Sequence, residues 1–371
     1  MKTPKFLIAL LTSTAWLMTG CSGSSPSFSI LGTQQSFQQG ADTFAQKQVD
    51  ILWVVDNSGS MQTSQANLAT NFAAFIQNFQ TLGLDYHMAV TTTDAYLAGS
   101  YFNNAYSAYS PTAAQFRQGS TGTYGQGLSG VTVMNPGNTT ASIFQKNMSE
   151  GTDGSGDERA FSSFVQALSD PTNATSGFRR PGAFLSIIIL SDEDDFSGNA
   201  SFCDHFQSSC AANFVGDHNY NVPAPELQPA SFYVSWLDTY AGGHTHYSVN
   251  AIYTDTAACA RSLSSTSVVG QRYPQIVSLT GGVSASLCSN FAATLNTISQ
   301  SVIQLASVFV LASQANPATI VVTVNGVTVP QNATNGWQYT ASTNSVAFYG
   351  TAVPPAGASI NIAYTPLNAH Q

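Results

Sequence analysis

Charge is scarce in this sequence. Only 8% of its 371 residues are Asp, Glu, Lys or Arg, against about 25% in an ordinary soluble domain, so Ser, Thr, Asn, Gln and Gly must supply solubility. Basic side chains are the scarcer kind, 10 Lys and Arg against 19 Asp and Glu. No stretch gathers the lysines and arginines that neutralise phosphates, which excludes nucleic acid as a routine partner. The sequence has no Gly-x-x-x-x-Gly-Lys string and no Gly-x-Ser-x-Gly elbow, which removes P-loop nucleotide hydrolysis and serine hydrolysis of that type. Cysteine is limited to five residues, none in a CxxC pair, so a structural zinc site has no support. Long apolar runs are missing too: beyond the first twenty residues none reaches the length of a membrane-spanning helix. What is present is a 43% hydrophobic content, enough for a core, since disorder needs low hydrophobicity with high charge. The length suits one large α/β domain and a small one.

Lys2 and Lys5 open the chain, Phe6 to Met18 are mostly apolar, and Leu17-Met18-Thr19-Gly20-Cys21 ends the stretch. The pattern reads as a secretory signal, its apolar part too short to span a bilayer. In detail it resembles the bacterial lipoprotein signal, in which the cysteine is acylated and becomes the new N-terminus. The resemblance implies a signal peptide over 1–20, a lipid on Cys21 and, with Ser22 following it, sorting to the outer membrane, so that the anchor alone meets the membrane. Loss of Lys2 and Lys5 leaves 8 basic side chains against 19 acidic ones. Cys203, Cys210, Cys259 and Cys288 then remain, an even number that reads as two disulfides in an oxidising compartment. Three pairings are possible. The favoured one joins Cys203 to Cys210 within a polar loop and Cys259 to Cys288 between the chain after one strand and the start of the last helix.

Residues 21–46 show no period and read as a flexible tether. Folded sequence over 47–312 starts with the apolar run 49–55, of strand length and suited to a parallel strand buried on both faces. A turn at 56–61 follows, then helical spacing of Leu68, Phe72, Phe75, Ile76, Phe79 and Leu82. Further strands are expected at 87–90, 184–190 and near 247–253, with helices from Glu158, near 225–241 and through Phe291, Leu295, Ile298, Val302 and Leu305. Stretches near 97–150 and 195–225 read as insertions, the first on the surface. Alternating strands and helices predict a mostly parallel central sheet with helices on both faces, an α/β fold of Rossmann-like type. After Pro317 the rhythm changes: 319–324 and 327–329 flank Asn325-Gly326, a hairpin signal. Strands near 337–341, 345–349 and 358–364 complete a small all-β module of immunoglobulin-like sandwich type over 313–371.

The chemistry is expected where strands end, because open α/β sheets bind ligands outside the carboxyl ends of their strands. Asp56, Ser58 and Ser60 fall in the loop after the first long strand. Alternate residues of a tight loop can aim a carboxylate and two hydroxyls at one point, a donor set for a hard cation such as Mg²⁺. The competing use of the serines is to cap the following helix. His244, His246, His205 and His218 lack paired spacing on a helix and read as surface residues.

Asp56-Asn57-Ser58-Gly59-Ser60-Met61 after a strand resembles the first motif of the metal-ion-dependent adhesion site (MIDAS) of von Willebrand factor A (VWA) domains. Ser191-Asp192 after the most apolar strand looks like that family's later Asp motif. The family's intervening Thr, counted back from Phe161, falls on Ser155, with Asp157 as a competing position. The resemblance, closest to bacterial VWA lipoproteins, implies Mg²⁺, Mn²⁺ or Ca²⁺ held by Asp56, Ser58, Ser60, Ser155 and Asp192. One departure is that Glu193, Asp194 and Asp195 stand where Gly usually follows the late Asp. These carboxylates either occupy the coordination position a partner should fill, create a second cation site that includes Asp194, or are simply solvated.

The function implied is binding rather than catalysis: a lipid-anchored envelope module that uses a divalent cation to hold a protein or extracellular matrix ligand through its acidic side chain. The alternative is a metal-independent structural or scaffold subunit of an envelope complex. The anchor has a direct test. Mass spectrometry of the mature N-terminus should find acyl chains on Cys21, and Cys21→Ser should release the protein from membranes or block its maturation; a wild-type chain without acyl groups there rules the anchor out.

Overall fold

The structure, a computed structural model, describes residues 37–38, 48–99, 110–198, 227–265, 267–355 and 357–367. Strand β1 (Phe37–Gln38) lies within the stretch expected to be a tether and pairs antiparallel with Ala363 and Tyr364. The next five strands are β2 (Val49–Val55), β3 (Tyr86–Thr92), β4 (Phe184–Ser191), β5 (Tyr247–Tyr253) and β6 (Ser284–Ser286). They form one parallel sheet in the order β3-β2-β4-β5-β6. Every residue of β2 and β4 is buried, which is why both read as continuous apolar runs rather than as alternation.

Eight helices flank this sheet among the described residues, besides a single turn at Pro171–Ala174. They are α1 (Gln62–Thr70), α2 (Phe72–Thr81), α3 (Ala141–Met148), α4 (Ala160–Ser169), α5 (Ala230–Ala241), α6 (Ala257–Leu263), α7 (Tyr273–Thr280) and α8 (Phe291–Ala306). Successive strand residues point to opposite faces, so β2 feeds two cores. Ile51, Trp53 and Val55 pack with Leu68 of α1, Phe75 and Phe79 of α2, and Leu295 and Ile298 of α8. Leu52 and Val54 pack with Phe161 and Phe164 of α4, Leu237 of α5 and Ile276 of α7. The exception in β2 is Asp50, fully buried at the amino end. It accepts hydrogen bonds from Arg179 Nη1 (3.0 Å) and Arg180 Nε (2.8 Å).

The expected long first helix is two, broken at Asn71, whose N–H turns back to the carbonyls of Asn67 and Leu68. Residues 110–150, expected on the surface, contribute to the core. Met134 exchanges backbone hydrogen bonds with Met88 of β3 (2.7 and 2.8 Å), and Phe144 of α3 stacks on Phe72 at 4.0 Å between centroids. With only eight residues, α3 is too short to display a helical period. The helix expected from Glu158 begins at Ala160.

The C-terminal strands are β7 (Val308–Val310), β8 (Val321–Val324), β9 (Val327–Val329), β10 (Gly336–Thr340), β11 (Ser345–Tyr349) and β12 (Ile360–Tyr364). They make two small antiparallel sheets, β1-β12-β8-β9 and β10-β11-β7. Asn325 and Gly326 turn the β8–β9 hairpin with φ of 50° and 80°, the positive pair that a type I′ turn requires. The core beneath α8 continues into these sheets through Phe309, Trp337 and Phe348. Cys259 and Cys288 form the expected disulfide, joining α6 to the turn after β6. Cys21, Cys203, Cys210, His205 and His218 lie outside the described residues. His244 is exposed and bonded to Asp238 and to the Leu279 carbonyl. No helix of the described residues is long and apolar enough to cross a membrane.

Candidate functional site

Strand order positions the site. After β2 the chain forms β3 on one side of it, then returns to form β4 on the other. The carboxyl ends of β2 and β4 therefore flank the switch point where an open α/β sheet leaves a crevice. Val55 lies opposite Leu190, and the Asp56 N–H continues the ladder to the Leu190 carbonyl (2.9 Å). That register puts Asp56 beside Ser191. Ser191 Oγ donates to Asp56 Oδ2 (2.7 Å) and the Ser58 N–H to Asp56 Oδ1 (2.8 Å).

The loop then turns toward β4. Ser60 Oγ donates to Asp192 Oδ1 (3.0 Å) and stands 3.4 Å from Ser58 Oγ. Ser267 Oγ donates to the second Asp192 oxygen, and Thr254 Oγ1 to the Asp192 carbonyl (3.0 Å). Neither serine caps α1, which has no side-chain cap, so the capping role weighed for them is not the one they take. Asp56, Ser58, Ser60 and Asp192 are thus brought together as the motif spacing suggests.

Ser155 and Asp157 are held differently. The Ser155 N–H donates to both oxygens of Asp94 (3.2 and 3.3 Å), and its hydroxyl accepts the Asp157 N–H (3.1 Å). Asp157 is ion-paired with Arg159, Nε at 2.9 Å. Asp94 also accepts from Asn57 Nδ2 (3.0 Å), so Ser155 is tied to the metal-motif loop through Asp94.

The residue that sequence reasoning passed over is Glu158. Its loop lies directly on the metal-motif loop: the Gly154 N–H donates to the Asn57 carbonyl (2.9 Å), and Gln65 Nε2 bridges the carbonyls of Asp56 (2.8 Å) and Gly151 (2.9 Å). A Cβ on Gly154 would come within 2.4 Å of Asn57 Nδ2, so any other residue there would displace the Asn57 side chain. On its other side the Glu158 carbonyl accepts the Phe196 N–H (2.8 Å) from the loop after β4. Glu158 is completely buried between the two loops. The Glu193 carboxyl lies close enough to share a proton with it.

The acidic tract is not solvated, since Glu193, Asp194 and Asp195 are all buried. Asp195 Oδ2 accepts the Phe161 N–H at the start of α4 (2.9 Å) and Ser197 Oγ (2.8 Å), with Arg272 Nη2 3.4 Å from its other oxygen. Asp194 Oδ1 accepts the N–H groups of Arg272 (3.0 Å) and Asp195 (2.9 Å). The last two acids thus build the loop.

Removal from water disfavours ionised carboxylates, and crowding them adds repulsion. Burial and then the Asp192 charge push Asp56 from 3.8 up to about 7. Burial, then Asp56 and Asp192, push Glu193 from 4.5 up to about 8. Burial followed by Asp56 and Glu193 carries Glu158 well above 4.5, and burial raises Asp192. Basic side chains are engaged elsewhere: Arg117 with Glu150, Arg159 with Asp157, Arg179 and Arg180 with Asp50, and Arg272 with Asp195. Among the described residues no three His, Cys, Asp or Glu side chains converge as a cage for a metal ion. A cation here must be held partly by hydroxyls, and Ser58 and Ser60 supply them beside Asp56 and Asp192.

No protein-family model matches the sequence, and no curated protein matches it. Among solved structures, the chain is similar to proximal thread matrix protein 1 (PTMP1) from the mussel byssus with zinc occupied MIDAS motif, at 13% identity and TM-score 0.37 over 73% of this chain and 51% of that one. It is similar to the pilus adhesin SpaC from Lactobacillus rhamnosus GG at 15% identity and TM-score 0.39, over 86% of this chain and 38% of that one. The human COPII-coat protein Sec24c gives 8% identity and TM-score 0.34, over 87% and 40%. The chain spans about half of these proteins or less, and likeness at such scores says nothing of what it binds.

The raised carboxyls set the sign of a pH dependence. The folded chain holds these protons more tightly than the unfolded chain, so their contribution to stability is complete below about pH 4 and is lost as pH rises through about 7 to 8. Urea denaturation in the presence of chelator should therefore show a lower unfolding free energy at pH 8 than at pH 5, with a smaller fall in Asp56→Asn. Stability that is flat or rises over this interval contradicts the assignment.

Proposed function

We propose that this chain is a lipid-anchored protein of the bacterial outer membrane whose VWA-like domain binds a divalent cation, Mg²⁺ or Mn²⁺ with Ca²⁺ as a further candidate, and through it a protein or matrix ligand. The observation that carries this reading is the meeting of Asp56, Ser58, Ser60 and Asp192 at the switch point, where no lysine or arginine among the described residues is ion-paired with Asp56 or Asp192. Asp56 and Asp192 would supply charge and the two serine hydroxyls neutral oxygens. Bound there, the cation would neutralise the crevice and offer an electrophilic contact to a partner. The role is affinity rather than turnover. The acylated Cys21 would tether the domain to the membrane, a reading supported by the signal-like first twenty residues.

A metal-independent scaffold has one observation in its favour: the hydroxyl–carboxylate bonds of Ser60, Ser191 and Ser267 satisfy much of the loop without a cation. Melting separates the two. A cation that binds only the folded state adds about 2.7 kcal/mol at a hundredfold excess over Kd, so millimolar Mg²⁺ or Mn²⁺ should raise the melting temperature of the wild type and leave Asp56→Ala unmoved. An unchanged wild-type melting temperature supports the scaffold instead.

A further inference from the structure

Residues 118–130 carry no charged side chain, and five of the thirteen are glycine. They double back on themselves: the N–H groups of Ser129, Gly127 and Gly125 donate to the carbonyls of Gln118 (2.8 Å), Ser120 (2.8 Å) and Gly122 (3.0 Å). The base rests on α3, where a Cβ at Gly119 would meet the Lys146 carbonyl at 2.4 Å. The tip is hooked onto the loop beside the metal motif. There the Thr123 N–H donates to Asp153 Oδ2 (2.7 Å) and the Thr123 carbonyl accepts the Thr152 N–H (3.0 Å), two residues before Gly154 bonds the Asn57 carbonyl (2.9 Å).

Residues 122–125 close the tip as a turn whose third position has positive φ, a place for glycine or asparagine. Tyr124 occupies it, with φ of 62°, although glycine is plentiful on either side. A bulky residue there is an outlier, and such strain gathers at ligand clamps. The fold gains little in return: Tyr124 is 58% exposed and Leu128 57%. Asp153 and Lys146, the charged side chains that bond to this loop, are turned onto its backbone, at the Thr123 N–H and the Leu128 carbonyl (3.3 Å). The face offered to solvent is therefore neutral.

We propose that residues 120–128 are a docking surface for a protein partner, with Tyr124 and Leu128 as anchors against an uncharged, apolar patch of that partner. The centres of protein interfaces are depleted of charge and enriched in tyrosine. Loops that set tyrosine among serine and glycine bind proteins because the ring offers area at little entropic cost, and a loop fixed in advance lowers that cost further. A charged patch would lose its water here and meet no counter-charge. Leu128 favours a protein over a glycan, since an aliphatic side chain has no ring face to stack on a sugar. The surface adjoins the cation site and does not depend on it.

The test is selection of a random-sequence peptide library, displayed on phage, against the immobilised full chain in chelator. Selected peptides are then titrated against wild type, Tyr124→Asn and Leu128→Ser. Uncharged peptides with apolar side chains should emerge, and each substitution should weaken them about tenfold or more, the scale of a hot-spot contact. Tyr124→Asn should melt no lower than wild type, because asparagine accepts the left-handed conformation more readily; that separates a lost contact from a lost fold. Peptides that bind both variants as tightly as wild type, or a selection that yields none, overturn the inference. A lower melting temperature in Tyr124→Asn also overturns it by making the tyrosine structural, as does binding of soluble dextran that Tyr124→Asn abolishes, which assigns the surface to a glycan. Chelator removes divalent ions throughout, so none of these outcomes bears on the cation reading.

Discussion

Two buried carboxylates, those of Asp56 and Asp192, meet at the switch point, and among the described residues no arginine or lysine is ion-paired with either; the rest of the site's behaviour depends on that. In a chain with so few basic residues the placement of each is consequential. The arginines that form ion pairs hold Asp50 at the opposite end of β2, Asp157 and Glu150 in the loops around α4, and Asp195 at the start of α4. They stabilise the frame and leave the switch point acidic. Burial would ordinarily keep such carboxyls neutral. A divalent cation is the alternative counter-charge, and the serine hydroxyls around them are ligands suited to it.

The frame that sets this up is the register of β2 on β4. A shift by one residue would turn every side chain of β2 to the other face, exchanging the set under α1, α2 and α8 for the set under α4, α5 and α7. It would also separate Asp56 from Ser191. Because both faces of the sheet are packed, the pairing is strongly specified, and the metal-motif loop inherits its position from the core rather than from its own residues. The disulfide between Cys259 and Cys288 ties down α6 at the same end of the sheet, in the segment that carries Thr254 and Ser267 onto Asp192.

Much of this was legible in the residues. The runs at β2 and β4, the period of α8 and the Asn325-Gly326 turn are local signals, and each appears where its pattern lies. Asp56, Ser58, Ser60 and Asp192 could be named because the loop motif follows a strand. Ser155 and Asp157 were reached by counting back along a helix, a method blind to Asp94 and Arg159, which hold them through contacts distant in sequence or specific to the folded loop. Glu158 was read as the opening of a helix. Its burial depends on Phe196 and Asn57, residues of two other loops, and no local pattern reports that. A usable signal existed: the chain has only four glutamates, and Glu158 and Glu193 both stand next to motifs already singled out. The division of the C-terminal strands into two sheets was equally hidden, because β1 and β7 join them from outside the stretch that carried the strand pattern.

The most direct test of the central claim is anomalous diffraction from crystals of the protein grown or soaked with Mn²⁺. The account predicts one strong anomalous peak between the loops after β2 and β4, within bonding distance of the Ser58 and Ser60 hydroxyls. A crevice without a peak at saturating Mn²⁺, or a peak only at the exposed carboxylates of the surface, would contradict it.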